Sequence, residues 1–184
     1  MNGNRQTYNK TTVPACDNCN NNLLSSLDNS VSKSIARVDL SKEFFEQDEF
    51  EAIIRWLEII DYKFQVLNFR RTFLRHQKGE FIPYLKDFPM TMIRDGGKDD
   101  REVISELRRS RKRITVKEKS DRYNSLVVLK TKNANLHFFH QMDDFIFLEF
   151  GAAKKAFFYF YRRTFDTIEA ATNEAKIIVS QHYH

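Results

Sequence analysis

The sequence predicts an α+β fold in which N-terminal helices pack on an antiparallel β-meander and a C-terminal helix closes the domain. Three observations predict this class. Apolar residues recur at helical spacing over residues 41–76, short β-rich runs separated by turn signals follow from residue 114, and a last helical pattern begins near residue 166. This order, in which helices are followed by strands and then by one more helix, is typical of α+β domains.

The first 40 residues differ in composition from the rest of the chain. They contain eight asparagines and one aromatic residue, Tyr8, so we expect residues 1–40 to form a disordered or loosely attached tail. Residues 41–184 are predicted to form a single domain. Cys16 and Cys19 have the spacing of half a zinc knuckle, but no second pair follows, and a structural zinc needs four ligands. We therefore predict neither a metal nor a cofactor.

Two helices are predicted to open the domain. Ser41 is a candidate N-cap for the first, whose apolar face consists of Phe50, Ile53, Ile54, Leu57 and Ile60. The second is predicted from Tyr62 to an end near His76–Gly79, with three cations on its other face: Arg70, Arg71 and Arg75. A strong loop signal at residues 95–100 precedes a short predicted helix over residues 101–109.

A change of periodicity after that helix predicts strands. Ile114 and Val116 alternate with polar residues, and β-rich runs follow at 126–129, 136–142, 145–150 and 156–161. The closing helix is predicted from a capping box in which Asp166 is the capping residue, with an apolar stripe that includes Ala171 and Ala175. Most aromatic residues of the last three runs are expected in the core and not as a platform that stacks unpaired bases, because consecutive residues of a strand point to opposite faces.

The positive charge of the chain is concentrated in one segment. The 184 residues carry a net charge of +5, whereas residues 101–132 alone carry 11 basic and 4 acidic groups, a balance of +7. Between residues 108 and 119 only Glu118 is acidic, and seven residues are basic: Arg108, Arg109, Arg111, Lys112, Arg113, Lys117 and Lys119. Such a density predicts binding to DNA or another polyanion through phosphate contacts.

Other interpretations of the basic segment remain open. It would be a solvated charged turn if it binds nothing, or a docking site for an acidic partner if the protein is an interaction module. Arg70, Arg71 and Arg75 would extend a nucleic-acid surface if the fold places them beside it. The chain has no apolar run of the roughly 20 residues that cross a membrane, and its start leads into no apolar signal core, so we expect a cytoplasmic protein without a membrane partner.

A glutamate within an apolar strand is the second candidate for chemistry. Glu149 lies in the run Phe145–Phe150 and is expected on the face of Phe145 and Phe147, opposite Ile146 and Leu148. It must face solvent, find a partner or bind a proton, because an unpaired buried carboxylate is strongly unfavourable. A histidine would be a natural partner and would allow acid–base chemistry.

An enzymatic alternative follows from the same glutamate. A metal-dependent nuclease or other hydrolase would use Glu149, a histidine and Asp143 or Asp144. The sequence lacks the ligand spacing of known metal motifs, so binding without catalysis is the leading interpretation.

Several segments together resemble a known family. The segment Phe69–His76, the strand Phe145–Gly151 and the aromatic strand Ala156–Tyr161 look like the EH-signature domain, over roughly residues 60–184. That domain occurs in a component of the Zorya anti-phage defence systems of bacteria. The resemblance implies DNA binding in antiviral defence alongside other defence proteins, with Glu149 as the signature glutamate and His184 or His182 as the signature histidine. In the turn after the glutamate this chain departs from the family pattern.

Overall fold

The computed structural model describes residues 18–76, 99–132, 137–141 and 144–182, and it has the predicted α+β class. The described residues form four α-helices: α1 (Ser25–Ile35), α2 (Gln47–His76), α3 (Asp100–Thr115) and α4 (Ile168–His182). They also form four β-strands: β1 (Leu126–Lys130), β2 (His137–Gln141), β3 (Ile146–Phe150) and β4 (Lys155–Tyr159). A π-helical turn (Cys19–Leu24) leads into α1, and two short 3-10 turns occupy Ser120–Ser125 and Gly151–Ala153.

The four strands form one antiparallel sheet in the order β1-β4-β3-β2. Strands β2, β3 and β4 form the predicted meander. Strand β1, however, pairs with β4 and not with β2, its neighbour along the chain. Alternation of apolar residues fixes which face of a strand is buried but does not choose its neighbours, so the sequence pattern alone was consistent with either order.

Both faces of the sheet are covered by helices. One face packs against α2 through a core that includes Ile54, Leu57, Leu148 and Phe157. The other face packs against α4, where Ala171 and Ala175 are buried against Phe158 and its neighbours. The small alanine side chains let α4 approach the sheet closely. The prediction that most aromatic residues of the last three β-rich runs are core residues is confirmed for Phe145, Phe147 and the aromatic residues of 157–161, whereas Phe150 is only partly buried. The side chains of Phe138 and Phe139 lie outside the described residues.

The 30-residue helix α2 replaces the two helices predicted for this region. No glycine or proline interrupts residues 47–76, so the helix continues where the sequence pattern changes phase. The proposed N-cap Ser41 is wrong, because Ser41 bonds to the carboxylate of Asp39 instead. Glu46 begins the helix: its N–H donates to Glu49 Oε2 at 2.7 Å, and its carbonyl accepts from the N–H of Phe50.

The described part of the N-terminal region is packed on the domain. Leu24 and Val31 are buried in a cluster with Ile59 and Tyr62 of α2 and Ile114 of α3. Order therefore begins before the boundary expected at residue 41. Residues 1–17 of the tail predicted over residues 1–40, with Cys16, lie outside the described residues.

Helix α3 extends farther than the sequence predicted. Asp99 caps it by accepting a hydrogen bond from the N–H of Glu102 at 2.8 Å, and the helix runs to Thr115. The strand predicted at Ile114 is therefore wrong, because Ile114 is a buried helical residue. Within the described ranges, no helix combines the length and apolarity needed to cross a membrane.

The closing helix begins with a different cap from the one predicted. Thr167 Oγ1 accepts from the N–H of Ala170 at 3.2 Å, whereas Asp166 was the expected capping residue. The backbone carbonyl of Asp166 accepts instead from the Asn124 side chain at 2.8 Å. This bond ties the start of α4 to the 3-10 turn before β1.

Candidate nucleic-acid interface

The two sides of α3 differ in polarity. Val103, Glu106, Ser110 and Ile114 recur at spacings of three and four and are buried, so they form the inner side of the helix. On the opposite side the exposed residues include four cations, and Lys117 follows in the adjoining loop. We call these five residues the basic surface: Arg101, Arg108, Arg111, Lys112 and Lys117.

Three cations of the basic surface are exposed and have no acidic partner within the part of the chain that the structure describes. No ion pair there involves Arg108, Arg111 or Lys112. Arg109 is also exposed, but its guanidinium lies 2.8 Å from Glu106 Oε1 and is partly neutralised there. Arg101 was not in the predicted set. Arg101 precedes Arg108 by seven residues, which is about two turns of a helix, so the sequence already indicated that both lie on the same side.

Two of the seven predicted phosphate ligands lie inside the protein. The side chain of Lys119 is 2% exposed and that of Arg113 is 11% exposed. Each forms an ion pair with a carboxylate of α2, Lys119 with Glu58 and Arg113 with Asp61. Burial therefore separates these two cations from the surface formed by the others.

Lys119 is the centre of a buried polar cluster. Its Nζ lies 2.5 Å from Glu58 Oε2 and also donates to the backbone carbonyl of Arg113 at 2.7 Å. Tyr159 of β4 donates to the other oxygen, Glu58 Oε1, at 2.8 Å. Burial raises the pKa of Glu58, and Lys119 opposes that rise. The cluster thus joins α2, the loop after α3 and the sheet.

Arg113 is held from two directions. Its guanidinium lies 2.5 Å from Asp61 Oδ2 and 4.8 Å from the centre of the Tyr161 ring, a cation–π contact. Gln65 donates to the other oxygen of Asp61 at 3.0 Å. The carboxylate of Asp61 is fully buried, and this burial raises its pKa despite the opposing charge of Arg113.

A third buried carboxylate completes this network. Glu106 on the inner side of α3 lies 2.5 Å from the guanidinium of Arg162, in the loop after β4. Sequence reasoning missed Glu58, Asp61 and Glu106 as a group. A signal was available for the first two, because they interrupt the apolar run of α2 in the same way that Glu149 interrupts its strand.

Glu149 is buried in the sheet on the side predicted for it. It is 8% exposed and shares the α4 face with Phe145 and Phe147, whereas Ile146 and Leu148 belong to the α2 face. The solvent-facing alternative is therefore excluded. Thr131, just after β1, donates a side-chain hydrogen bond to Glu149 Oε1.

The histidines proposed as partners of Glu149 have side chains outside the described part of the chain. His184 and the side chain of His182 lie outside the described residues, as do the side chains of His76 and His140. The same holds for Asp143 and for the side chains of Arg70, Arg71 and Arg75. The Glu149–histidine pair and the extension of the basic surface by α2 thus stay predictions.

Two candidate ligands of the metal-dependent hydrolase alternative, Glu149 and Asp144, have described side chains. Asp144, one of its candidate ligands, forms an ion pair with Arg163 at 2.8 Å. In the described parts of the chain, no three residues of the types His, Cys, Asp and Glu are grouped so that they could hold a metal ion.

Comparisons with protein-family models, with curated protein sequences and with solved structures find no match. A function is therefore inferred from the residues of this chain and their arrangement.

Proposed function

We propose that this chain is a nucleic-acid-binding accessory protein whose basic surface contacts phosphates. DNA is the polyanion that the EH-signature resemblance implies. The observation that carries the proposal is the position of five exposed cations on one side of α3 and its following loop. The two cations of residues 108–119 that lie inside the protein, Arg113 and Lys119, have carboxylate partners there.

The spacing of the cations along α3 supports contact with several phosphates at once. Arg101 and Lys112 are eleven residues apart, which corresponds to about 17 Å along a helix with a rise of about 1.5 Å per residue. Duplex DNA carries about one charge per 1.7 Å of its axis, so a surface of this length faces many phosphates. Each contact releases condensed counterions and makes binding sensitive to salt.

The proposed setting is the bacterial cytoplasm, in anti-phage defence with other defence proteins as partners. The sequence resemblance supports this setting through Glu149 and the aromatic strand that follows the Gly151 turn. In this proposal Glu149 and a C-terminal histidine form a pair with a structural or functional role. The buried position of Glu149 on the sheet is consistent with either role.

Binding to a DNA duplex over a series of salt concentrations tests the proposal. We expect log K to fall steeply and linearly with log [salt] for the unmodified chain. Replacing Arg108, Arg111 and Lys112 by Ser should reduce the slope by roughly 3, because each phosphate contact contributes about 0.9. These positions are preferred to Arg113 and Lys119, whose replacement would disturb the buried network.

A matched variant separates the basic surface from net charge. Replacing Lys33, Lys132 and Lys176 by Ser removes the same charge from exposed positions outside residues 101–119, the range that contains the basic surface. It should leave the slope nearly unchanged. Equal slopes in all three proteins, or no binding by the unmodified chain, would contradict the proposed function.

A further inference from the structure

Taking the proposed function as its basis, we infer that Asp61 and Glu58 are positioning residues of the basic surface. Neither contacts the nucleic acid. They hold α3 and the loop after it in the setting that turns Arg108, Arg111 and Lys112 outward, by binding Arg113 and Lys119 inside.

Apolar packing sets the inner side of α3 but does not choose among its neighbouring cations. Val103 and Ile114 are buried near the two ends of the helix, and the partly buried Leu107 packs against the same cluster as Ile114. Between them the inner side also carries the polar residues Glu106 and Ser110. Hydrophobic burial is non-directional, so a more directional interaction has to choose which cation turns inward.

The ion pairs supply that choice, because each distinguishes between similar neighbouring cations. Lys112 and Arg113 are adjacent and therefore about 100° apart around the helix. Asp61 binds Arg113 at 2.5 Å, and Lys112 is left outside. Since the Arg113 guanidinium also stacks on Tyr161 at 4.8 Å, an arginine fits this position better than a lysine would.

Glu58 makes the corresponding choice in the loop. Lys117 and Lys119 are two residues apart, and only Lys119 is enclosed, between Glu58 and the carbonyl of Arg113. Lys117 then remains exposed next to α3. Buried polar pairs that specify one register among near-equivalent alternatives are a known use of such interactions. Here the register determines which cations form the surface.

Removing the charge of Asp61 or Glu58 tests the inference, because an effect of net charge and a loss of positioning change DNA binding in opposite directions. Asp61→Asn or Glu58→Gln each removes one negative charge, so net charge alone predicts tighter binding to a DNA duplex. Loss of positioning predicts binding weaker by roughly tenfold and a salt slope smaller by about 1, because cations leave the phosphates. Glu118→Gln is the matched control: it removes a negative charge at an exposed site beside the basic surface, and it should tighten binding slightly.

Amide hydrogen exchange provides a readout without DNA. In Asp61→Asn, exchange in α3 should accelerate on the order of tenfold or more, while α4, which packs on the face of the sheet opposite α2, stays as in the unmodified chain. If the unmodified chain binds no duplex, the proposed function fails, and the exchange data still judge the positioning role. Tighter binding or unchanged exchange in α3 would overturn the inference.

A second variant covers the case in which Asp61→Asn does not fold. Replacing both partners by apolar residues, Asp61→Leu with Arg113→Met, keeps the net charge and commonly preserves stability. We expect this variant to fold and to bind the duplex more weakly with a flatter salt slope. Binding equal to that of the unmodified chain would show that apolar packing alone sets α3, and the inference would be rejected.

Discussion

Glu149 and Thr131 form a hydrogen bond across an intervening strand. Glu149 lies in β3 and Thr131 just beyond β1, and β4 runs between the two strands. Ala156 of β4 stands opposite Glu149 on one side and opposite Leu129 on the other. The methyl side chain of Ala156 leaves room for the side chain of Glu149 to extend over β4. The backbone N–H of Thr131 also donates to the backbone carbonyl of Lys154, so both bonds of Thr131 stabilise this end of the sheet.

We expect Thr131→Val to destabilise the fold by about 1–3 kcal/mol, because valine matches the shape of threonine but removes the donor to a buried carboxylate. Chemical denaturation followed by circular dichroism measures this loss. Thr172→Val on α4 is the matched control, since its hydroxyl donates to the backbone carbonyl of Ile168 within its own helix. Equal stability of the Thr131 and Thr172 variants would show that the brace has no energetic role.

We expect Ala156→Val to cost about 1–3 kcal/mol, because Ala156 is buried and a larger side chain overpacks the path of Glu149. The combination with Thr131→Val should be less destabilising than the sum of the two single changes, since both disrupt one interaction. Denaturation of the single and double variants measures this coupling. Ala152→Val, at an exposed turn position, controls for the added methyl groups. Strict additivity would argue against the proposed geometry.

Lys119→Met should destabilise the protein by about 3–5 kcal/mol, because it leaves the carboxylate of Glu58 buried without its cation. Lys117→Met, two residues earlier and exposed, should change stability by less than about 0.5 kcal/mol. Thermal or chemical unfolding of both variants gives the comparison. If the second change Glu58→Leu restores the stability of Lys119→Met, the unpaired charge of Glu58 causes the loss. If Lys119→Met and Lys117→Met change the stability by similar amounts, the buried pair has no stabilising role.

Alkaline pH should unfold the protein through two buried phenols. Burial raises the pKa of Tyr159 and Tyr161 above the ordinary 10.0, with Glu58 and Asp61 respectively adding to the rise. Since the pKa in the folded state exceeds that in the unfolded state, their contribution is complete below pH 10 and is lost as the pH rises toward the folded-state values.

The absorbance of tyrosinate near 295 nm measures this effect together with the free energy of unfolding. Tyr159→Phe should flatten the decline of stability above pH 10, because phenylalanine has no proton to lose. Tyr123→Phe is a useful comparison, since Tyr123 is less buried and bonds to Glu51 nearer the surface. Early titration of all tyrosines without unfolding would contradict the burial of these two.

Periodicity in the sequence was sufficient for much of the fold. It predicted the α+β class, the faces of β3 and the burial of most of the aromatic residues around it, because side-chain direction alternates along a strand whatever lies beside it. It also placed Glu149 correctly on the side of Phe145 and Phe147. The extent of α3 and the single helix α2 were missed, since a change of apolar phase does not end a helix that lacks glycine and proline.

The basic block shows where sequence reasoning reaches its limit. Composition alone located the seven cations and the polyanion that such a density favours. The separation of these cations into an exposed set and a buried pair depends on contacts with residues far away along the chain: Lys119 meets Glu58 across 61 positions and Arg113 meets Asp61 across 52. Only the tertiary structure decides this division, because charge density is a local property of the sequence, whereas burial is set by what packs against each side chain.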